Sequence, residues 1–378
     1  MGLRDFASEA MWHLCGLLPI DRKKVVFSSY YGRGYSDSPK AIAEELIRSG
    51  EGLKLRWIVK DAGEAGTLPE QIRPVPLHGI RRVYEMSTAG FWVDNCRKYE
   101  RRKRRGQKYL QTWHGFALKR IEKDAADSLD PEYVSGSRRD AAQTDLMVSG
   151  SEFMGRLYRD SFWYDGQIAM YGTPRNDIFF AEDTGIPRKV HDFFSLPQGR
   201  RLLLYAPTFR ADHTTDCYGL DAQGILQACE ERFGGEWTAL IRLHPNVAGK
   251  SEGLFAYDGG RIIDATAYAD MQELLVAADL LITDYSSSMF DYALQGKPCI
   301  QFATDLEQYR ADRNFYFELD GLPFPMAQSN EELKAQIRSF DEETYANEWK
   351  KFKQEQGIME DGKASSRCAD WILQHMKG

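Results

Sequence analysis

The chain alternates short apolar runs with amphipathic stretches over most of its length, a pattern typical of parallel βαβ units. In the first half, the apolar runs predict strands at residues 24–29, 55–59, 90–95, 109–113, 146–149 and 168–171. In the second half, they predict strands at residues 201–205, 238–243, 261–264, 279–283 and 298–302. The predicted fold class is therefore α/β, with two doubly wound Rossmann-type domains.

Helices are predicted between the strands and towards the end of the sequence. Ser38-Pro39 is a helix-start signal ahead of residues 40–50, and Ser151 is the predicted cap of another helix. Further helices are predicted at residues 224–233, 271–278, 287–294 and 364–376, and only helices are predicted from Ser329 onward.

A domain crossover is predicted at residues 173–197, which contain three prolines, one glycine and several charged residues. The predicted domains are residues 1–180 and 181–378. Because doubly wound domains bind ligands at the carboxyl ends of their strands, the active site is expected in a cleft that the two domains face.

The first candidate for chemistry is His114, within Thr112-Trp113-His114-Gly115 at the end of a predicted strand. A histidine at this position can act as a general base on a hydroxyl group, and the following glycine leaves room for a substrate. A purely structural histidine at a strand end is an equally open interpretation of this motif alone.

Two clusters of hydrogen-bonding and cationic residues follow strands in the second half. Thr208 and Arg210 follow one strand, and Arg242 and His244 end the next. These groups suit a phosphate-bearing ligand, although packing between strands would also explain either pair alone.

A run of hydroxyl groups follows another strand in the second half. Asp284 is followed, after Tyr285, by Ser286, Ser287 and Ser288, which open a predicted helix. Free N–H groups, the helix dipole and serine hydroxyls together predict an anion site, since simple capping explains one hydroxyl and not three. The sequence contains no Walker or dinucleotide-binding glycine motif.

Six ordered motifs are distributed along the sequence: TWHGFAL (112–118), GTPRND (172–177), LYAPTFR (204–210), RLHP (242–245), DLLITDYSSSMFD (279–291) and KPCIQFATDLEQY (297–309). Together with a looser match at YSDSPK (35–40), they cover nearly the whole chain. In these motifs the chain resembles the CDP-glycerol glycerophosphotransferases, which build teichoic-acid-like polyol-phosphate polymers. The resemblance implies a GT-B-like architecture, with the nucleotide held by the C-terminal domain and the acceptor by the N-terminal one.

The resemblance also implies roles for individual residues. His114 would be the base on the acceptor hydroxyl, and His244 with Arg242 would meet the charge on the departing CMP. The diphosphate would contact Thr208, Arg210, Arg242, Ser286, Ser287 and Ser288. Other candidate site residues are Trp113, Gly115, Arg175, Asn176, Asp284 and Asp305.

The implied reaction is the transfer of a polyol phosphate from CDP-glycerol, or a related CDP-polyol, to a hydroxyl group, with release of CMP. The implied acceptor is an undecaprenyl-diphosphate-linked saccharide of teichoic acid or a related cell-wall polymer. No metal is expected, because no carboxylate cluster suited to a cation is evident in the sequence. No other cofactor is expected for the implied reaction.

The charge distribution adds a possible partner. The net charge of −7 argues against a protein built to coat nucleic acid, but residues 97–108 carry eight Lys or Arg and one Glu. This run predicts a patch for an anionic acceptor or an anionic membrane surface, with a solvated face as the alternative. The patch residues are Arg101, Arg102, Lys103, Arg104 and Arg105.

A second membrane signal is an apolar stripe at near-helical spacing, which could instead pack on the domain. It comprises Leu3, Phe6, Ala10, Leu14, Leu17 and Leu18, with Trp12 beside them. Six cysteines without a Cys-x-x-Cys pair predict reduced thiols, and no run of 18 apolar residues occurs. The expected location is therefore cytoplasmic and peripheral, on the inner face of the cell membrane.

Two other classes of function remain open. One is a sugar-nucleotide glycosyltransferase or epimerase of the same GT-B shape. The other is a protein that binds nucleic acid or another anionic surface through residues 97–108.

Overall fold

Two all-parallel sheets organise the chain in the computed structural model, which describes residues 3–98, 102–210, 216–243, 255, 257–258, 260–312 and 314–377. Each sheet belongs to a separate unit of the chain. The first unit comprises Met1–His114, Ile121–Phe180 and Gly357–Gly378, and the second comprises Gly115–Arg120 and Ala181–Gln356.

The described part of the first unit contains seven strands: β1 (Asp21–Ser28), β2 (Lys54–Val59), β3 (Ile72–Pro76), β4 (Ala89–Asp94), β5 (Lys108–Gln111), β6 (Leu146–Val148) and β7 (Gln167–Ala169). Their order in the sheet is β3-β2-β1-β4-β5-β6-β7. Consecutive residues of β1, from Val25 to Phe27, are all fully buried. Such continuous apolar runs are typical of a parallel sheet that is covered on both faces.

The described part of the second unit contains six strands: β8 (Arg201–Tyr205), β9 (Trp237–Ile241), β10 (Ile262–Asp264), β11 (Leu280–Thr283), β12 (Cys299–Phe302) and β13 (Met326–Ala327). Their order in the sheet is β10-β9-β8-β11-β12-β13.

Thirteen α-helices accompany the strands over the described residues. They are α1 (Leu3–Gly16), α2 (Asp37–Arg48), α3 (Ile80–Thr88), α4 (Pro131–Gln143), α5 (Glu152–Ser161), α6 (Ile186–Phe193), α7 (Ala222–Phe233), α8 (Met271–Ala277), α9 (Ser288–Tyr292), α10 (Leu306–Asp312), α11 (Asn330–Arg338), α12 (Glu342–Gln356) and α13 (Ala364–Met376). The predicted cap of α5 is confirmed, since the Ser151 hydroxyl accepts a hydrogen bond from the N–H of Met154 at 3.1 Å.

The strand order reverses once in each sheet. In the first sheet the chain builds outward from β1 through β2 to β3 and then resumes on the other side at β4. In the second sheet the same reversal separates β8 from β11. Ligands of doubly wound folds bind beside such reversal points, at the carboxyl ends of the strands.

All eleven predicted strands overlap observed strands, whereas two edge strands were missed. Pro74 and Pro76 lie in β3, and proline is tolerated at a sheet edge because no neighbouring strand needs its missing N–H. β13 has only two residues. The predicted crossover at 173–197 is also more regular than expected, because it contains α6 and the 3₁₀ helix Pro174–Phe180.

The second unit differs from the predicted second domain, residues 181–378, at its C-terminal end. Helix α13 belongs to the first unit, where Ile372 is fully buried and Trp371 packs edge-to-face on Phe91 at 6.3 Å. The Asp177 carboxylate caps α13, accepting from the N–H groups of Ala364 at 3.0 Å and of the next residue. Burial of this apolar helix face explains why the chain returns to the first sheet.

A short early segment departs from the predicted boundary in the opposite direction. Gly115–Arg120 belongs to the second unit. The N–H of Arg120 donates to the Asn314 carbonyl at 2.8 Å, and the N–H of Tyr316 donates to the Leu118 carbonyl at 2.9 Å. These backbone hydrogen bonds anchor the segment as an added piece of extended chain.

Candidate active site

His114 lies in a loop just after β5, where the backbone takes up unusual conformations. Trp113 before it has a φ of 55°, and Gly115 after it has a φ of 136°. Nearby, Tyr30 after β1 and Asp37 at the start of α2 have φ values of 44° and 65°. Left-handed conformations cost non-glycine residues roughly 1–3 kcal/mol each, so their concentration around one histidine indicates a functional site.

The imidazole of His114 is held in one orientation. Its Nδ1 lies 2.7 Å from the backbone carbonyl of Asn95, at the end of β4, and its ring stacks on Trp113 at 4.2 Å. A carbonyl oxygen only accepts hydrogen bonds, so Nδ1 carries the hydrogen. In the neutral ring, Nε2 then keeps its lone pair and can accept a proton from a hydroxyl group.

The protonation state of His114 suits the same role. Burial lowers the pKa of His114 below its ordinary value, and the hydrogen bond to Asn95 offsets part of that effect. The imidazole is therefore neutral at neutral pH. A neutral ring with a fixed tautomer is the form that a general base requires.

Arg175, predicted as a site residue, lies against the His114 loop. Its Nη1 donates to the Asp37 carboxylate at 2.7 Å and to the His114 backbone carbonyl at 2.8 Å. Asn176 is also buried, and its N–H donates to the Thr173 carbonyl at 2.8 Å. Both residues thus support the loop structure on this side of the first sheet.

Three residues around His114 were missed by the sequence prediction of the site: Asn95, Tyr30 and Asp37. Asn95 ends a predicted strand, and Asp37 lies in the YSDSPK stretch, so both had a positional signal. Tyr30 directly follows the predicted strand at residues 24–29, and its hydroxyl donates to the Asp37 carboxylate at 2.6 Å.

In the second unit, the polar motifs come together at the carboxyl ends of neighbouring strands. Thr208 and Arg210 follow β8, Asp284 follows β11, and Asp305 follows β12. The Asp284 carboxylate accepts hydrogen bonds from the N–H groups of Thr208 at 2.8 Å and Tyr285 at 2.6 Å. These bonds fix the two loops at the reversal point of the sheet.

Arg210, predicted as a diphosphate ligand, is held by carboxylates in the structure. Its buried guanidinium donates to Asp284 at 2.8 Å and to Asp305 at 2.6 and 2.9 Å, and it lies 4.9 Å from the ring centres of Tyr285 and Tyr309. Two carboxylates therefore already neutralise this charge. Arg210 acts as the centre of the loop structure, and Asp284 and Asp305 are its partners.

The serine run lies beside this cluster, at the start of α9. The hydroxyl groups of Ser286 and Ser288 are 2.9 Å apart, and the N–H of Ser288 donates to the Ser286 hydroxyl at 3.3 Å. Ser287 is partly exposed, and its side chain makes no capping hydrogen bond. The Thr208 hydroxyl is buried and has no hydrogen-bond partner among the described residues. Ser287 is thus the residue of this group whose side chain is both partly exposed and without a capping hydrogen bond.

The paired residues at the end of β9 are only partly described. Arg242 is partly buried and donates from Nη2 to the Tyr268 carbonyl at 3.3 Å. His244, the predicted partner of Arg242, lies outside the described residues.

The basic run at residues 97–108 divides into buried and exposed charges. Arg97 and Lys98 are buried and paired with carboxylates, and Lys103 is paired with Asp145. Arg104 donates to the carbonyls of Ser87 at 2.7 Å and Leu18 at 2.9 Å. Among the patch residues that the structure describes, Arg102 and Arg105 are the exposed ones, and Arg101 lies outside the described residues.

The apolar stripe of α1 also divides. Trp12 packs edge-to-face on Trp92 at 6.4 Å, and Cys15 is buried. Leu14 and Leu17 are 60% and 84% exposed, as is a large part of Leu18. The described side chains of α1 thus pack one face of the helix on the first unit, whereas Leu14 and the two leucines that follow the helix are exposed. Within the described ranges, no helix is both long and apolar enough to cross a bilayer.

Two doubly wound parallel sheets, each with polar groups gathered beside its strand-order reversal, define an α/β protein of the GT-B-like class. Residues 10–374 match the model of the CDP-Glycerol:Poly(glycerophosphate) glycerophosphotransferase family, and the chain belongs to this family. The resemblance drawn from the six motifs and the predicted fold class are both confirmed.

Individual relatives are similar over most of the chain. A teichoic acid poly(glycerol phosphate) polymerase of Staphylococcus epidermidis is 29% identical over 94% of this chain and 51% of its own length. The chain therefore spans about half the length of that polymerase. A teichoic acid glycerol-phosphate transferase of Staphylococcus aureus is 28% identical, with 93% of each protein covered.

Solved structures are also similar to this chain over most of its length. The structure of the wall teichoic acid polymerase TagF superposes with a TM-score of 0.84 and 28% identity, covering 98% of this chain and 94% of that one. Another TagF structure was obtained after a soak with CDPG.

Proposed function

We propose that this protein transfers glycerol phosphate from CDP-glycerol to a hydroxyl group of a lipid-linked saccharide or polyol-phosphate chain, releasing CMP. The observation that carries the proposal is the His114 imidazole, whose Nδ1 is bound to the Asn95 carbonyl at 2.7 Å and whose Nε2 is the basic atom. Family membership supplies the substrate class.

The proposed reaction is a single displacement at phosphorus. Nε2 of His114 takes the proton of the acceptor hydroxyl, whose oxygen attacks the phosphorus that bears glycerol. The bond from that phosphorus to the bridging oxygen of the diphosphate breaks, and CMP leaves with the electron pair. Catalysis then rests on positioning and on stabilising the charge of the leaving group.

The donor is proposed to bind to the second unit, at the carboxyl ends of β8, β9 and β11. The partly exposed Ser287 and the partly buried Arg242, which lie at these strand ends, support this assignment. The proposed role of His244 as a partner of Arg242 stays a prediction. Arg210, whose guanidinium is paired with Asp284 and Asp305, is proposed to hold the loops of this site in place, and its predicted contact with the diphosphate stays a prediction.

The direct test is a transfer assay with purified protein, a synthetic lipid-linked disaccharide and a choice of donors. We expect CMP release and acceptor extension with CDP-glycerol, and neither with UDP-sugars. CDP-ribitol serves as the matched polyol donor. Acceptor-independent CMP release, or transfer from a UDP-sugar, would contradict the proposal. A complex in which CMP binds only to the first unit would contradict the donor assignment.

We propose that the first unit attaches peripherally to an anionic membrane surface, and that the protein binds its acceptor there. The exposed Leu14 and Leu17 and the exposed Arg102 and Arg105 are the residues that support it. Arg104 joins the two features through its hydrogen bond to the Leu18 carbonyl at 2.9 Å. An apolar contact combined with basic residues is what stable reversible attachment requires.

Charge reversal of Arg102 and Arg105 to glutamate is expected to weaken sedimentation with anionic vesicles at least about tenfold, since each basic residue contributes roughly 1 kcal/mol near an anionic leaflet. Arg188→Glu, at an 89% exposed side chain of α6, is the matched control and should bind as the unchanged protein does. Equal binding to neutral and anionic vesicles, or binding to neither, would count against this attachment.

A further inference from the structure

A buried ion pair lies behind the His114 loop and has no part in the reaction steps above. The side chains of Asp37 and Arg175 are 4% and 6% exposed, and their closest oxygen and nitrogen are 2.7 Å apart. A buried pair of charges is a weak source of stability, because the loss of hydration offsets much of the attraction. The presence of the Asp37–Arg175 pair behind the His114 loop therefore needs an explanation other than stability.

The pair is connected to the backbone of His114 by a short chain of hydrogen bonds. Arg175 Nη1 donates both to Asp37 Oδ2 at 2.7 Å and to the His114 carbonyl at 2.8 Å. The Tyr30 hydroxyl donates to the same Asp37 oxygen at 2.6 Å, and the N–H of Ser38 donates to the other oxygen at 2.6 Å. Each oxygen of the carboxylate is thus held by at least one donor.

These partners come from separate parts of the first unit. Asp37 begins α2, which follows β1, whereas Arg175 lies in the 3₁₀ helix that follows β7. The two elements meet at the carbonyl of His114, whose loop also contains the left-handed Trp113. A strained loop keeps its shape only when its surroundings over-determine it.

We propose that the Asp37–Arg175 pair is a positioning device for His114: it fixes the His114 carbonyl and thereby the direction in which Nε2 points. This inference rests on the proposed function of His114 as the base. The Asn95 carbonyl binds the imidazole at Nδ1, and Arg175 binds the backbone carbonyl of His114, so the residue is held at both its side chain and its main chain. Asp37 orients Arg175, and Tyr30 orients Asp37.

The charges around His114 provide a signature for this arrangement. Burial has the largest effect on the pKa of His114 and lowers it. Among the charged neighbours, Asp37 and Glu122 raise this pKa and Arg175 lowers it. Cys96, with its sulfur 3.8 Å from Nδ1, and Tyr30 are neutral neighbours, since burial raises the pKa of both. Loss of the Asp37 charge should therefore lower the pKa of His114 further.

The first test is kinetic. Asp37→Asn and Arg175→Lys are each expected to lower kcat about 10- to 100-fold, because a displacement of roughly 1 Å at a catalytic group has such an effect. The KM for CDP-glycerol should be unchanged. Asp37→Asn should also move the acidic limb of the kcat/KM profile to lower pH, whereas Arg175→Lys keeps the charge and should leave the limb in place.

Asp361→Asn is the matched control. Arg367 Nη1 donates to Asp361 and to the Tyr171 carbonyl, both at 2.8 Å, so the same bonding pattern occurs elsewhere in the first unit, between side chains that are 37% and 47% exposed. This variant should retain kcat and the pH profile. Equal losses of kcat in the control and in Asp37→Asn would overturn the inference, because the effect would then not be specific to the pair behind His114.

The second test does not depend on turnover. NMR of labelled histidine, with the His114 signals assigned through His114→Ala, reports the tautomer and the titration of the ring. In Asp37→Asn the pKa of His114 should fall, and unchanged titration with unchanged kcat in both variants would overturn the inference.

Tyr30→Phe, which removes one hydrogen bond to Asp37, replaces Asp37→Asn if that variant does not fold, and should lower kcat less. Absence of transfer by the unchanged protein would refute the proposed function alone, while the NMR comparison still decides the positioning role.

Discussion

Replacement of His114 by alanine is expected to lower the rate of transfer about 10²–10⁴-fold and to leave the melting curve native-like. The variant removes the one imidazole that Asn95 holds with Nε2 as its basic atom. Steady-state CMP release and a thermal melt of the same preparation measure the two quantities. Near-full turnover by a folded variant would show that another group is the base.

His375→Ala is a closely matched control for this experiment. His375 Nδ1 lies 2.8 Å from the Trp371 carbonyl, and its ring lies 4.4 Å from that of Trp371. The bonding thus repeats that of His114 on a different element, α13. We expect this variant to keep full activity, so that a loss specific to His114 is not a general effect of removing an imidazole with this bonding, although His375 is the more exposed of the two.

The pH dependence of the unchanged protein follows from the same group. A general base must be unprotonated, so kcat/KM falls as the pH drops through the pKa of His114. Because burial lowers that pKa below the ordinary histidine value of about 6.5, the fall should occur at a lower pH than for an exposed histidine. An acidic limb centred above the ordinary value would contradict the assignment.

Arg97→Ala is expected to reduce the free energy of unfolding by about 3–5 kcal/mol. Arg97 is 1% exposed, and its guanidinium donates to Glu122 at 2.8 Å and to Asp140 at 3.1 Å. Its removal leaves two buried carboxylates without their cation. Denaturant titration followed by tryptophan fluorescence measures the loss.

The loss should depend on pH in a defined direction. Burial raises the pKa of Asp140 to about 6 even with Arg97 present, and removal of Arg97 raises it further. A carboxyl whose folded pKa lies above its unfolded value destabilises the fold as the pH rises, so the loss should be smaller in acid. Arg105→Ala, at an exposed position of the same basic run, should change stability by no more than about 0.5 kcal/mol. Similar losses of stability in Arg97→Ala and Arg105→Ala would contradict the conclusion that the basic run divides into buried and exposed charges.

The fold was largely predictable because the strands of a parallel sheet are continuous apolar runs. Val25 to Phe27 are buried on both faces, so the strand can be recognised without knowing its neighbours. The two prolines of β3 conceal a strand, since proline is normally evidence against one. The return of α13 to the first sheet depends on contacts such as Trp371 with Phe91, which lie far apart in the sequence.

The candidate site was predictable in position and less so in detail. His114 was predictable because a histidine followed by glycine ends an apolar run. Arg210 was assigned to the diphosphate because its sequence neighbours do not reveal its partners, Asp284 and Asp305, which lie 74 and 95 residues away. A cationic side chain at a strand end binds either a ligand or a buried carboxylate, and only the folded chain distinguishes the two.

The same limit applies to the basic run. Eight basic residues in twelve positions indicate a charged surface, yet Arg97 and Lys98 are buried among carboxylates. The pairing residues Glu122 and Asp140 come from later segments of the chain. The number of basic residues in a segment of sequence therefore overestimates the positive charge that is exposed to a binding partner.

The return of α13 to the first unit has a consequence for the order in which the protein matures on the ribosome. The first unit is interrupted by Ala181–Gln356, and Gly115–Arg120 of the second unit is made long before the rest of that unit. The first hydrophobic core thus stays open while the whole second unit is being translated, because Cys368, Trp371 and Ile372 have not yet been synthesised. Nascent chains at that stage expose the apolar surface that α13 later covers, which makes them natural clients for chaperones.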